Sequence, residues 1–272
     1  MDLPNKRQRE LTMKTKIAAA LILGTTSLLW HGATIAQQAP PAFAAIDAYM
    51  CNYHEGKGPD DLMKVSSRWN KWMDENSSVS YSAWVMHPVL SSMNMPADVV
   101  WLGVWPNGKD MGQGMQEWAD KGDKINNDFL AVFDCVEHSQ AASVNIRPPA
   151  DGWPGTSGVA AFSNCTVAEG HTVQDSMAVH QAWSQHLDAT GSKAGMWAFF
   201  PGAGQNNPDW DYKIVASHPD YISYGADWDN FTNGQGWQKA MEIGSGKVVS
   251  CDSPRVYHSV TVRDGGVPAT PQ

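Results

Sequence analysis

At 272 residues and 42% hydrophobic content, the chain can hold one large domain or two ordinary ones and bury a proper core. Once residues 1–36 are set aside as a leader, 14 Lys/Arg face 26 Asp/Glu, a net charge of −12. Such a surface repels phosphate backbones and anionic lipid, and no basic patch interrupts it, so nucleic acid is excluded as a partner.

The leader is read from "MKTKIAAALILGTTSLLWHGATIAQQ". Lysines at 14 and 16 precede an apolar run from Ile17 to Leu29, and small residues lead up to Gln37. The run is interrupted at Gly24 and falls short of the roughly 20 residues a spanning helix needs. It therefore reads as a secretory signal over residues 1–36, cut near Ala36, with Met13 an alternative start. Periplasmic or secreted localisation follows, with no membrane association after cleavage.

After the leader, "AAIDAYMCNYH" alternates like a strand, and "GPDDLMKVSSRWNKWMDEN" sets Leu62, Val65 and Trp69 at helical spacing behind a Pro-Asp start. "VSYSAWVMH" and "DVVWLGVWP" read as strands, Asp110–Lys121 as a polar helix and "ASVNIRP" as a closing strand. The same order then recurs. "CNYHEG" at Cys51 returns as "CTVAEG" at Cys165, and sliding the chain by 114 positions also matches Trp69 with Trp183 and Asp74 with Asp188. A shift of 113 matches Trp84 with Trp197 and Pro88 with Pro201. In the second copy Thr172 and Asp175 form a capping box, followed by strands "AGMWAFFP" and "WDYKIVASHP", a helix around "SYGADWDNF" and the strand "RVYHSVTVRD".

The expected organisation is thus a repeat over residues 44–147, a Pro- and Gly-rich linker over 148–157, a second repeat over 158–264 and a tail over 265–272. Each repeat reads β-α-β-β-α-β, an α+β ferredoxin-like unit with one open sheet face that must be covered. Two fused units can cover each other, sheet to sheet, as an internal pseudo-dimer.

This order and duplication resemble the dimeric α+β barrel superfamily, which includes antibiotic-biosynthesis-monooxygenase-like domains. The resemblance spans both repeats. It implies a ligand cavity between sheet and helices, and for the enzymes a substrate that itself reacts with oxygen, so no cofactor is expected. Haem, known among relatives, would need a proximal histidine, and no spacing singles one out.

An even four cysteines in an exported chain suggest disulfides. The repeat selects Cys51–Cys135 and Cys165–Cys251, each closing a loop worth about 4 kcal/mol in chain entropy. The absence of C-x-x-C and of zinc spacing argues against a metal site.

Candidate chemistry lies at strand ends. Glu55 and Glu169 follow the first strand of each repeat, as general base or as a turn carboxylate near a helix start. His54 and His87 mark two strand ends of the first repeat alone, so a catalytic set of His54, Glu55 and His87 would be asymmetric. Trp84, Trp101, Trp105 and Trp197, with Glu169, are the candidate ligand-binding residues; Trp210 and Trp228 also sit near element ends.

Three functions stay open: an exported protein binding a small apolar or aromatic molecule in the barrel, a cofactor-independent monooxygenase-like enzyme, and a structural or assembly block. Self-association is compatible with each.

Overall fold

The computed structural model describes residues 42–266 except 93, 94, 96, 151, 153, 154, 206 and 207. The expected leader and most of the expected tail lie outside the described residues.

The first half of the chain runs β1 (Ala44–Tyr53), α1 (Pro59–Asn76), β2 (Ser82–Leu90), β3 (Val99–Trp105), α2 (Gly108–Lys121), α3 (Asp123–Leu130) and β4 (Phe133–Arg147). The second runs β5 (Ser157–Val167), α4 (Val173–Ala189), β6 (Gly195–Pro201), β7 (Tyr212–His218), α5 (Tyr221–Thr232), α6 (Gly236–Glu242), β8 (Val249–Cys251) and β9 (Arg255–Arg263).

Within each half the strands pair antiparallel in the ferredoxin-like order, β4-β1-β3-β2 and β9-β5-β7-β6. The halves meet edge to edge: β2 pairs β9 and β4 pairs β6. Eight strands therefore close into an antiparallel barrel, and β8 extends the β5 edge. This corrects the expectation that two sheets stack face to face. Pairing the edges instead satisfies four strand edges that would otherwise be left open, and still encloses the inner faces.

Closure buries both faces of most strands, and alternation sends successive side chains to different cores. Inside the barrel, Ile46, Trp84, Met86, Val100 and Leu102 from the first half meet Trp197, Phe199, Val215 and Tyr257 from the second. Outside, on the first half, Trp101, Trp105, Ala83 and Val85 pack beneath Leu62, Val65, Trp69 and Met73 of α1 and Ile125 and Phe129 of α3. Each fully buried side chain of this size contributes about 1.5–3 kcal/mol of transfer free energy. The second half is covered more thinly, by Val179 of α4 over Tyr212 and Val249. Helix α5 buries none of its residues.

The helix starts follow from local chemistry. Pro59 opens α1 with Asp60 and Asp61 in its first turn. Thr172 and Asp175 bond reciprocally to complete the capping box of α4. Asn107 caps α2 by accepting from Asp110 N at 2.9 Å.

Three elements go beyond the sequence reading: α3, α6 and the separate β8. Strand β4 is also longer than its "ASVNIRP" core, because a register shift between Met50 and Cys51 carries its pairing with β1 back to Phe133. The equivalent stretch of the second half is broken by Asp252-Ser253-Pro254, since proline cannot donate to a ladder. The cysteines consequently sit in paired strands, rather than tying the first strand to a loop before the last one. Cys51 faces Cys135 and Cys165 faces Cys251, and both pairs are disulfides. Two such bridges accord with an oxidising compartment. No helix among the described residues is long and apolar enough to cross a membrane.

Non-reducing peptide mapping should recover Cys51 with Cys135 and Cys165 with Cys251. Reduction should lower stability by up to about 4 kcal/mol per bridge, read as a fall in denaturation midpoint. A peptide joining one half to the other would contradict the pairing.

Candidate functional site

A cavity of about 630 Å3 opens between the outer sheet face of the first half and its three helices. Strands β1, β3 and β4 form its floor with Asp47, Tyr49, Trp101, Trp105, Phe133 and His138. Helix α1 supplies Trp69, Trp72 and Met73, α2 supplies Met115 and Trp118, and α3 supplies Phe129 and Leu130. The rings brace one another: Trp69 meets Trp101 edge-on at 4.8 Å, Trp72 meets Trp118 at 5.1 Å and Tyr81 lies 4.2 Å from Trp105. Edge-to-face packing of this kind adds about 0.5–1.5 kcal/mol per pair and fixes ring orientation, so the walls are preformed.

One polar line crosses this apolar floor. Trp101 Nε1 donates to Tyr81 Oη at 3.0 Å, and Tyr81 Oη donates to Asp47 Oδ1 at 2.9 Å. Asp47 is only 6% exposed. Burial drives its carboxyl up from 3.8 to about 6, against the lowering effect of the Tyr81 hydrogen bond. Tyr81 is held well above its ordinary range by burial and then by the Asp47 charge, so it stays a donor. The Trp105 indole stands near enough to favour the carboxylate, yet its Nε1 falls outside hydrogen-bond geometry and has no partner among the described residues. A buried, unpaired N–H on a cavity wall is costly unless something else accepts from it.

Two glycines make the arrangement possible. Gly103 pairs directly with Asp47 across β1 and β3, and a Cβ there would lie 1.7 Å from Tyr81 Oη and 2.1 Å from Asp47 Oδ1. Gly114 of α2 admits the edge of Trp105, which a Cβ would meet at 2.2 Å. Helix α2 is itself anchored by Glu117, which accepts from Ser78 N at 3.0 Å and Gln113 Nε2 at 2.9 Å.

The second half carries a different polar set on this face: His218 Nε2 bonds Asp227 Oδ2 at 3.0 Å and Ser192 Oγ donates to the same oxygen at 2.6 Å, while Ala161 stands where the first half has Asp47. Where the first half pairs Asp47 with Gly103, Tyr49 with Trp101 and Ala45 with Trp105, the second pairs Ala161 with Ala216, Ser163 with Ile214 and Val159 with His218.

The residues singled out from the sequence are dispersed. Trp101 and Trp105 line the cavity, whereas Trp84 and Trp197 point into the barrel. Glu55 and Glu169 are exposed at matching turns, where Gly56 and Gly170 take φ of 75° and 83° and the chain closes from His54 O to Lys57 N and from Ala168 O to His171 N. His54 bonds the Leu130 carbonyl at 2.9 Å. His87 bonds Tyr53 Oη at 2.8 Å and faces His258 across β2 and β9; burial, and then His258, lower its pKa. None of His54, Glu55, His87 or Glu169 lines the cavity, and the structure shows no contact between His54 and His87. Trp228 is largely exposed. Cys165, His180 and Cys251 lie close together, but the two sulfurs are joined in the disulfide and provide no thiolate pair.

Asp47, Tyr81 and Gly103 were missed. Their signal was present: a lone acid in the strand "AAIDAYM", on the same alternate face as Ala45 and Tyr49, and a single glycine in "VVWLGVW".

No protein-family sequence profile matches the chain, and no curated protein matches it by sequence. Solved structures do match in fold. A candidate monooxygenase from Lactobacillus acidophilus superposes with TM-score 0.50 at 11% identity, covering 82% of this chain and 95% of its own. One from Fusobacterium nucleatum gives TM-score 0.50 at 4% identity, covering 82% and 94%. A dye-decolorizing peroxidase from Bacteroides thetaiotaomicron gives 0.49 at 9% identity, covering 82% and 94%. The two likenesses at TM-score 0.50 show the fold alone, an antiparallel α+β barrel.

A haem does not fit this cavity. Its one lining imidazole, His138, is stacked flat on Tyr49 with centroids 3.8 Å apart. The lining includes the carboxylates of Asp47 and Asp134 and no lysine or arginine to receive propionates.

The raised pKa of Asp47 sets a pH dependence. Between pH 4 and 6 the unfolded chain has released this proton while the folded chain retains it, so stability falls as pH rises through that window and the deficit is complete above about 6. The shift corresponds to about 3 kcal/mol. Asp47→Asn should remove this component, gaining stability relative to the parent at pH 7 but not at pH 4, as read by denaturant titration at both pH values.

Proposed function

We propose that this chain is an exported protein that binds a small planar aromatic molecule bearing a hydroxyl in the cavity of its first half. The observation carrying the reading is the pairing of a buried carboxylate with an unpartnered indole N–H on an otherwise aromatic wall. A flat ring occupies the cavity that the braced aromatic side chains line. Its hydroxyl hydrogen bonds to Asp47, while its oxygen accepts from Trp105 Nε1. Apolar surroundings with few fixed polar groups are what such sites require. The two halves are read as a duplicated unit packed as an internal pseudo-dimer, in which only the first copy carries this site.

The test is titration with 1-naphthol, followed by tryptophan fluorescence. Saturable quenching is expected. Trp105→Phe, which keeps the ring and removes the N–H, should weaken binding about tenfold, equivalent to about 1.4 kcal/mol. Undiminished binding by a folded Trp105→Phe variant would remove the site from consideration.

A second reading, monooxygenase-like catalysis, is favoured by the position of the Asp47 pKa. A carboxylate titrating near 6 is mostly ionised at neutral pH yet basic enough to take a proton from an acidic aromatic substrate. Trp105 N–H would stabilise the resulting oxyanion. The electron-rich anion would then react with dioxygen, a CH2 becoming C=O with release of water. Oxygen uptake with anthrone should rise through pH 6 and fall at least about a hundredfold in Asp47→Asn. An unchanged rate in that variant would leave binding without this chemistry.

A further inference from the structure

The barrel interior opens as a separate cavity of about 700 Å3, on the opposite face of the sheet from the aromatic one. By strand alternation Asn164, Lys213 and Arg255 lie on the inner face, two residues from the interior Phe162, Val215 and Tyr257 respectively. The two cations converge on one neutral acceptor: Asn164 Oδ1 receives Lys213 Nζ at 2.6 Å and Arg255 at 3.1 Å. Arg255 also bonds Asp252 at 2.6 Å. Among the described residues no carboxylate is within ion-pair distance of Lys213 Nζ, which instead lies 4.1 Å from the centre of the Trp210 ring. Gln205 Oε1 is buried at the same cavity with no partner among the described residues.

The first-half side of the interior is mostly apolar, apart from Glu137, which stands opposite Met50 across β1 and β4. The cross-strand pair corresponding to Asn164–Lys213 in the first half is Met50–Val100, and Met86 and Leu102 continue the lining. The cavity therefore has a cationic end and a methionine-bearing apolar side, with Glu137 as the one carboxylate that lines it among the described residues. Burial lowers Lys213 to about 8, with the Arg255 charge adding to this and Asp252 and Glu137 opposing it. Arg255 has Asp252, but Lys213 has only the Asn164 amide oxygen and the Trp210 face, which leaves room for an anion to improve the arrangement.

We propose that the barrel interior is a second binding site, for a small molecule with a carboxylate head and an apolar body. Lys213 and Arg255 take the carboxylate, Gln205 accepts from any neighbouring hydroxyl or N–H, and the methionine-lined end takes the body. The proposal is independent of the aromatic site, because the two cavities lie on opposite faces of the sheet and share only His138 among their lining residues.

Isothermal titration with octanoate and with octan-1-ol tests it. Octanoate should bind saturably and the alcohol about tenfold more weakly, the two probes differing chiefly in the head group. Lys213→Met should weaken octanoate about tenfold and leave the alcohol unchanged. Lys213→Gln serves the same purpose where circular dichroism shows that the methionine variant has not folded. Saturating 1-naphthol should leave octanoate affinity unaltered, which separates this site from the aromatic one. Equal affinity for the two probes, full octanoate affinity in a folded Lys213 variant, displacement by 1-naphthol, or no saturable binding at millimolar octanoate would each overturn the proposal.

Discussion

Edge pairing of β2 with β9 and of β4 with β6 is the constraint from which the rest of the molecule follows. A ferredoxin-like sheet on its own covers one face with helices and leaves the other to solvent. Closing eight strands into a ring removes that exposed face and turns it into a lumen. Every barrel strand then separates two interiors, so a one-residue step along it is a step from one cavity to the other. Ile46 lines the lumen and Asp47 lines the aromatic cavity; Val100 lines the lumen and Trp101 the aromatic cavity.

That separation explains how a buried charge is tolerated in β1. Asp47 lies in a strand with no solvent face, and an ionised carboxylate there is costly. Its compensation is local: the Tyr81 hydroxyl, aligned in turn by the Trp101 N–H, and the space left by Gly103. Removing Cβ at one strand position thus positions a hydrogen bond between two others. The carboxyl still titrates near 6, so the compensation is incomplete, and incomplete compensation is what leaves a group able to change protonation at working pH.

The architecture was legible in the sequence because repetition multiplies weak signals. One "CxxxEG" means little, but two at a fixed offset, followed by matching tryptophans and a second cysteine each, define both the unit and the disulfide pairing. The capping box at Thr172 was readable for the same reason that it works, since both partners lie within one turn. The site was less legible. The repeated Glu-Gly marks a backbone need, a left-handed glycine closing a turn, and repeats because both halves turn there. Asp47, Gly103 and Tyr81 act only when strands β1 and β3 pair in one register and α1 to α3 cover them. Periodicity could place Asp47 on a face, but could not say that this face was roofed by helices rather than water.

The two halves share a strand order yet carry different side chains on equivalent pairs. The hydrogen-bonded ladder depends on the backbone, so Ala161 opposite Ala216 pairs as well as Asp47 opposite Gly103. Side chains on the two faces are therefore free to diverge in each half separately. In the first half the outer face carries the Asp47 line and the aromatic roof, and its inner face has Met50 opposite Val100. In the second half the outer face carries His218, Asp227 and Ser192, and its inner face has Asn164 opposite Lys213. Asp47 and the Lys213–Arg255 pair thus stand on opposite faces of the sheet, each held by its own neighbours.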